Sequence, residues 1–241
     1  MSDSIVIIPT FNEIENIENI IRKVFSLHVP FHILVVDDGS PDGTADLVKR
    51  LMLEFDGRLF IEERVGKLGL GTAYIHGFKW SLARNYTYIF EMDADFSHNP
   101  EDLIRLRQAA LDGADMAIGS RYINGVNVVN WPMSRVLMSY FASVYVRLIT
   151  RINIQDATAG FVCFHRKVLE TIKLDEIKFV GYAFQIEMKF KAIKHGFNVV
   201  EVPIIFTDRT LGVSKMSTKI FREAFFGVIQ LKLESLFKGY K

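Results

Sequence analysis

The sequence predicts an α/β protein with a mostly parallel sheet and helices on both of its faces. Two observations lead there. Apolar runs of strand length alternate with segments of helical period through the first half of the chain. The stretches that follow those runs are polar and turn-rich, as loops at one edge of such a sheet are. Composition agrees, since 241 residues with 49% hydrophobic and 24% charged side chains suffice for a core.

Residues 4–9 (SIVIIP) read as a buried strand. A helix over 13–27 follows, with Ile14, Ile17, Ile21 and Val24 on one face. Strand 31–37 (FHILVVD), helix 43–55, strand 58–63 and helix 71–84 continue the alternation. Next come strand 87–93, helix 100–111 with Pro100 in its first turn, and strand 114–119. The second half is less regular. It holds a helix over 133–150, strands at 160–164 and 199–206, a helix over 183–195 stopped by Gly196, and a final helix over 216–237. With no repeat or linker, the simplest division is one domain, 1–214, and a C-terminal extension, 215–241.

Several classes of function are disfavoured. A net charge of +1 gives no support for nucleic-acid binding. The single cysteine, Cys163, forms no internal disulfide and sits in an apolar run as a small hydrophobe. The N-terminus reads as a first strand, not a signal peptide. The most apolar stretch, 136–146, is flanked by Arg135 and Arg147 and is too short to span a bilayer, so a soluble or peripheral protein is expected.

The loops after the five first strands are PTFNE (9–13), DDGSPDGT (37–44), GKLGLGTA (66–73), DADFSH (93–98) and GSRY (119–122). Five polar loops at one edge, two of them with paired aspartates, point to a ligand site. GKLGLGTA has neither the G-x-G-x-x-G order of a dinucleotide loop nor the order of a P-loop. It offers Lys67 near a helix N-terminus, where phosphate can approach.

In IFEMDADFSHN, Glu91, Asp93 and Asp95 alternate, so an extended strand would point three carboxylates to one side. Like charges gathered there call for positive charge among them. Asp93 and Asp95 suit a hard divalent cation such as Mg²⁺ or Mn²⁺, which bridges carboxylates to phosphate oxygens. Glu91, one pleat deeper, reads as structurally paired, and His98 as a surface or supporting residue. Arg121, Arg135, Arg209 and Lys215 follow later, and with a metal they match a diphosphate.

Taken in order, PTFNE, VVDDGSPDGT, GKLGLGTAY, MDADFSH, GSRY, GYAFQIEM and DRTLGVSKM resemble the A-type fold glycosyltransferases of family two. Within them the pattern resembles the dolichyl- or polyprenyl-phosphate mannose synthases, along nearly the whole chain. The resemblance implies an inverting transfer of mannose from GDP-mannose to a dolichyl or polyprenyl phosphate. It implies that Pro9, Phe11, Glu13, Val36 and Asp38 hold the nucleotide, with Ala94 lining its pocket. Asp93 and Asp95 would bind the metal, and Arg121, Arg209 and Lys215 would contact donor or acceptor phosphates. Ser97, where some relatives carry Gln, would ligate the metal weakly or through water. The chain stops at Lys241 without the transmembrane helices of many members, and so resembles the short catalytic-subunit form. The alternatives are a relative using UDP-glucose or another nucleotide sugar, and a nucleotide-sugar-binding protein without activity.

A phosphate acceptor is anionic at neutral pH, so it needs placement and charge screening rather than a base. Asp95, Arg121, Arg209 and Lys215 are therefore the candidate catalytic residues, with Arg121, Arg135 and Arg209 at the acceptor phosphate. Glu187 and Asp156 are the rivals as bases. The lipid leaves a mark too. Residues 215–241 carry +4, against −3 elsewhere, and are rich in Phe, Ile and Leu. A basic amphipathic helix there, and the one over 133–150, would lie on a membrane surface, on the cytoplasmic face, with or without an anchoring subunit.

Overall fold

The computed structural model describes residues 2–209 and 218–237. The first half holds β1 (Ser4–Thr10), α1 (Ile17–Phe25), β2 (His32–Asp37), α2 (Thr44–Glu54), β3 (Leu59–Glu63), α3 (Leu70–Ala83), β4 (Tyr88–Glu91), α4 (Asp102–Leu111) and β5 (Met116–Ser120). The second holds β6 (Val128–Val129), α5 (Met133–Thr150), β7 (Val162–His165), α6 (Arg166–Thr171), α7 (Tyr182–Lys194), β8 (Val199–Pro203), β9 (Phe206–Thr207) and α8 (Thr218–Glu234).

Seven strands form one sheet in the order β3-β2-β1-β4-β7-β5-β8. All its neighbours are parallel except β7, which runs antiparallel to both β4 and β5. The mostly parallel sheet is therefore as expected, with one reversed strand inside it. β6 and β9 pair in parallel as a small separate ribbon.

Alternation along each strand builds a core on both faces. Ile5 and Ile7 of β1 pack with Tyr74 and Phe78 of α3 and with Phe184 and Met188 of α7. Val6 and Ile8 face the other way, toward Ile17 and Ile21 of α1, Val48 of α2 and Leu103 of α4. Glycines in α3 permit its close approach. A Cβ at Gly77 would lie 2.7 Å from Ile7, and one at Gly71 would lie 2.8 Å from the Phe184 ring.

Several boundaries differ from expectation for local reasons. Residues 13–16 form a turn, with both Asn16 N–H and Ile17 N–H donating to the Glu13 carbonyl, so α1 starts late. β4 ends at Glu91, because the Asp93 N–H leaves the ladder and donates to Nδ1 of His98 at 3.3 Å. Asp93 and Asp95 therefore stand on a bend rather than in a strand. The strand expected at 199–206 divides after Pro203 into β8 and β9. The expected start of the last helix lies outside the described residues, as does Lys215.

Because β1, β2, β3, β4, β5 and β8 point the same way, their carboxyl ends share one edge. The reversal of β7 delivers residues 156–161 to that edge as well.

Candidate active site

At the β1–β2 end the DDGS turn is held by Asp37. Its carboxylate accepts from Thr10 Oγ1 at 2.8 Å, Ser40 Oγ at 2.6 Å and Ser40 N–H at 2.8 Å. The next residue, Asp38, lies at the edge and pairs with Arg64, whose Nε donates at 2.7 Å. Arg64 also donates to Thr72 Oγ1 at 2.9 Å, tying this end to the first turn of α3. Lys67 lies over the Phe11 ring, 5.1 Å from its centroid. The carboxylate of Glu13 accepts from Asn16 Nδ2 at 3.2 Å, and Pro9 is half-buried. The side chains of Val36 and Ala94 are buried in the two cores, one on each face of the sheet.

At the β4 end a cavity of about 430 Å³ opens beside Asp93, Ser97, Arg121, Arg135 and Arg209. Its lining also includes apolar side chains: Met138, Ala142 and Val146 of α5, Ile186 of α7 and Phe225 and Val228 of α8. Asp95 is buried below. Its Oδ1 accepts the Ser97 N–H at 3.0 Å, and its Oδ2 lies 3.2 Å from Arg209. Arg135 pairs with Asp208 at 2.8 Å.

Electrostatics follow from this crowding. Desolvation, reinforced by Asp95, pushes the Asp93 carboxyl up to about 7, although 39% of its side chain is open. Burial drives His98 down to about 4, which suits a neutral ring whose Nδ1 accepts the Asp93 N–H. The ring stacks on Phe161, 4.8 Å away, so His98 is buried support rather than a surface residue.

Glu91 is fully buried, and the partner that the sequence called for is a pair. Gln185 Nε2 donates to it at 2.8 Å, while the buried Lys189 supplies opposite charge. Lys189 donates to the Ala159 carbonyl at 2.6 Å and to both Gln185 oxygens at 3.2 Å. Burial moves Glu91 up and Lys189 down, each to about 8, and each group opposes the other's shift. Sequence reading missed Lys189, Gln185 and Arg64. The available signal was a glutamine and a lysine four residues apart, hence on one face of a largely apolar helical segment, YAFQIEMKF.

Both rival bases are engaged by donors. Glu187 is buried, accepts N–H groups of Lys178 and Phe179 at 3.0 and 3.2 Å, and pairs with Lys191 at 2.9 Å. Asp156 is held by Arg121 through Nε at 2.7 Å, Nη2 at 2.6 Å and the backbone N–H at 3.0 Å. Burial raises the Asp156 carboxyl's pKa, but Arg121 and these bonds outweigh it and hold the group below its ordinary value. Arg121 also donates to Thr158 Oγ1 at 2.8 Å.

The donors near Asp93 fit a hard cation. Asp93 and Asp95 offer carboxylate oxygens, and the buried Ser97 hydroxyl has no hydrogen-bond partner. Among the described residues no cluster of three His, Cys, Asp or Glu completes a cage. Such a donor set can hold a hard divalent cation, with water and phosphate supplying the remaining ligands.

Comparison with known proteins matches a family, two relatives and two solved structures. A profile described as glycosyl transferase family 2 matches residues 5–173. The polyprenol monophosphomannose synthase of Mycolicibacterium smegmatis is 50% identical over 227 residues, covering 94% of this chain and 86% of that one. The undecaprenyl-phosphate mannosyltransferase of Micrococcus luteus is 43% identical over 237 residues, covering 98% and 97%. Among solved structures, glucosyl-3-phosphoglycerate synthase of Mycobacterium tuberculosis, crystallised with Mn²⁺, UDP and glucosyl-3-phosphoglycerate, has a TM-score of 0.65 at 17% identity, covering 96% and 79%. A mannosyltransferase of Pyrobaculum calidifontis with GDP-mannose and Mn²⁺ scores 0.61 at 17% identity, covering 98% and 65%. At such identities these two likenesses speak for the fold alone.

Proposed function

The chain belongs to glycosyl transferase family 2, and from that premise we propose that it transfers mannose from GDP-mannose to a polyprenyl phosphate. The carrying observation is the cavity itself, which is lined by Asp93 and three arginines together with apolar side chains from α5, α7 and α8. That lining suits a phosphate on a hydrocarbon tail. The near full-length identity to two lipid-phosphate mannosyltransferases supports the same reading.

In the proposed reaction an acceptor phosphate oxygen attacks the anomeric carbon from the face opposite the diphosphate. The new C–O bond forms as the bond to GDP breaks, so the product is inverted. The phosphate, with a second pKa near about 6, arrives as the anion, and no proton moves to an enzyme group. This agrees with the engaged states of Glu187 and Asp156. Arg121, Arg135 and Arg209 would screen the acceptor from the acidic bend and hold its oxygens in line. Lys215 would join them on the donor phosphates.

Pro9, Phe11, Glu13 and Asp38 would form the nucleotide end, with Arg64 fixing the Asp38 carboxylate. Asp93 and Asp95, with Ser97 directly or through water, would hold Mg²⁺ or Mn²⁺. Such an ion, when bound, neutralises charge developing on the leaving diphosphate. The lipid would be drawn from a membrane surface on its cytoplasmic side, met by α5 and α8, whether or not an anchoring subunit assists.

The test uses purified protein, Mg²⁺ or Mn²⁺, polyprenyl phosphate and a panel of labelled GDP- and UDP-sugars. Mannolipid formed from GDP-mannose alone is the expected result. A glucolipid from UDP-glucose would overturn the donor assignment, and hydrolysis without any lipid product would overturn the acceptor.

A further inference from the structure

Trp131 lies where the acceptor arginines meet. It lines the cavity, and its indole Nε1 is buried with no hydrogen-bond partner in the protein. The Arg135 guanidinium stacks on the ring at 4.1 Å from its centroid, and the Arg121 guanidinium lies at 5.6 Å. Phe206 closes the cluster edge to face, 5.2 Å away. The ring is held firmly from the chain side as well. Asn130 takes a positive φ of 64° and Pro132 opens α5, which restricts the residue between them to an extended backbone.

Packing alone does not account for an indole at this position. A buried N–H without a partner is costly, and a phenyl ring would offer a smaller stacking face without that cost. Both neighbouring guanidiniums already carry a carboxylate, Arg121 that of Asp156 and Arg135 that of Asp208. A phosphate entering between them meets cations whose charge is partly balanced. A neutral donor in the same cluster adds a hydrogen bond without adding repulsion between the arginines. The Arg135 guanidinium lies over the ring face, whereas the N–H lies on the ring edge.

We propose that Trp131 binds the acceptor phosphate, its indole N–H donating to a phosphate oxygen while its face holds Arg135. This rests on the lipid-phosphate reading of the cavity and adds to it a residue that selects a phosphate head.

The experiment compares wild type with Trp131→Phe, which keeps a smaller ring face and removes the N–H. Turnover with a short-chain isoprenyl phosphate is measured at saturating GDP-mannose, and binding of the same phosphate by calorimetry without donor. The expected result is a rise of about tenfold or more in the acceptor KM and in its dissociation constant, as for a lost bond to a charged group. GDP affinity should be unchanged. Trp131→Leu, lacking the stacking face too, should lose more. Wild-type turnover with Trp131→Phe within twofold of it in KM overturns this assignment alone. A wild type that neither binds nor converts isoprenyl phosphate overturns the functional reading and this assignment with it. Should Trp131→Phe unfold early, Trp131→His, which restores an aromatic N–H, decides. Affinity closer to wild type supports the bond, and a loss equal to that of Trp131→Leu overturns it.

Discussion

At the residue scale the site separates acids that meet a ligand from acids that hold the fold. Asp93 opens to the cavity and Asp95 anchors the bend beneath it, whereas Glu187 and Asp156 are saturated by donors. Asp95→Ala should lower kcat about a hundredfold or more, the several kcal/mol that a bound cation contributes to charge stabilisation. Glu187→Gln should instead lower the unfolding midpoint and leave kcat far above the loss of about 10²–10⁴-fold that removing a general base brings. Matched kcat losses in these two variants, with substrate binding intact, would count against a base-free transfer.

Asp156 gives the pH prediction. Its folded pKa lies below the ordinary 3.8, so its pairing with Arg121 stabilises the fold fully above that value. The contribution is lost as pH falls through the folded pKa. Asp156→Asn should therefore be less stable than wild type at pH 7, and the gap should close only below about pH 4. Urea midpoints from pH 7 down to pH 2 read this directly, and a constant gap across the range would refute it. Asp156→Ala, which strands a buried guanidinium, should cost about 3–5 kcal/mol.

At the element scale α3 shows why a glycine loop without a dinucleotide fingerprint follows β3. Gly71 N–H donates to the Val180 carbonyl at 2.9 Å, and the missing Cβ admits Phe184. Gly71→Ala tests whether helix propensity or packing prevails. Propensity alone would stabilise by about 1 kcal/mol. A Cβ 2.8 Å from the ring should instead destabilise by about 1–3 kcal/mol, because the clash falls on atoms next to the Phe184 backbone. A higher unfolding midpoint in the variant would reverse this ranking. β7 is the other decisive element. By running backwards it brings Asp156, Thr158 and Ala159 to the edge where Arg121 and Lys189 take hold of them.

At the scale of the whole molecule, α5 and α8 pack on one another beside the cavity mouth. Tyr145 donates to the Phe225 carbonyl at 2.9 Å, and their rings stack 4.9 Å apart. Both helices leave large apolar side chains exposed, among them Met133, Phe141 and Leu148 of α5 and Phe225, Phe226 and Leu233 of α8. No helix among the described residues is long and apolar enough to cross a membrane. Such a surface should seat on lipid without crossing it. Sedimentation with anionic vesicles should show binding that weakens with salt, and the double variant Phe141→Ser, Phe226→Ser should bind less. Equal recovery of variant and wild type in the pellet would remove these helices from the membrane contact.

The sequence by itself determined the element order of the first half, the mostly parallel sheet and the gathering of five polar loops at one edge. These follow from short-range chemistry: apolar period selects strand or helix, and alternation of the two constrains connection and direction. It also singled out Asp93, Asp95, Arg121 and Arg209, because charged residues after apolar strands stand out from their neighbours, and it named Arg135, in a helix, only as a further cation to match the phosphates. Only the tertiary structure decided what those charges do to one another. That Arg121 is held by Asp156, that Glu91 is balanced by a lysine 98 positions along the chain, and that Trp131 stands between two guanidiniums depend on β7 running against its neighbours and on α5 and α7 closing over the sheet. The reason is physical. The balance of a buried charge depends on distances of a few ångströms between residues far apart in sequence, which no local pattern encodes.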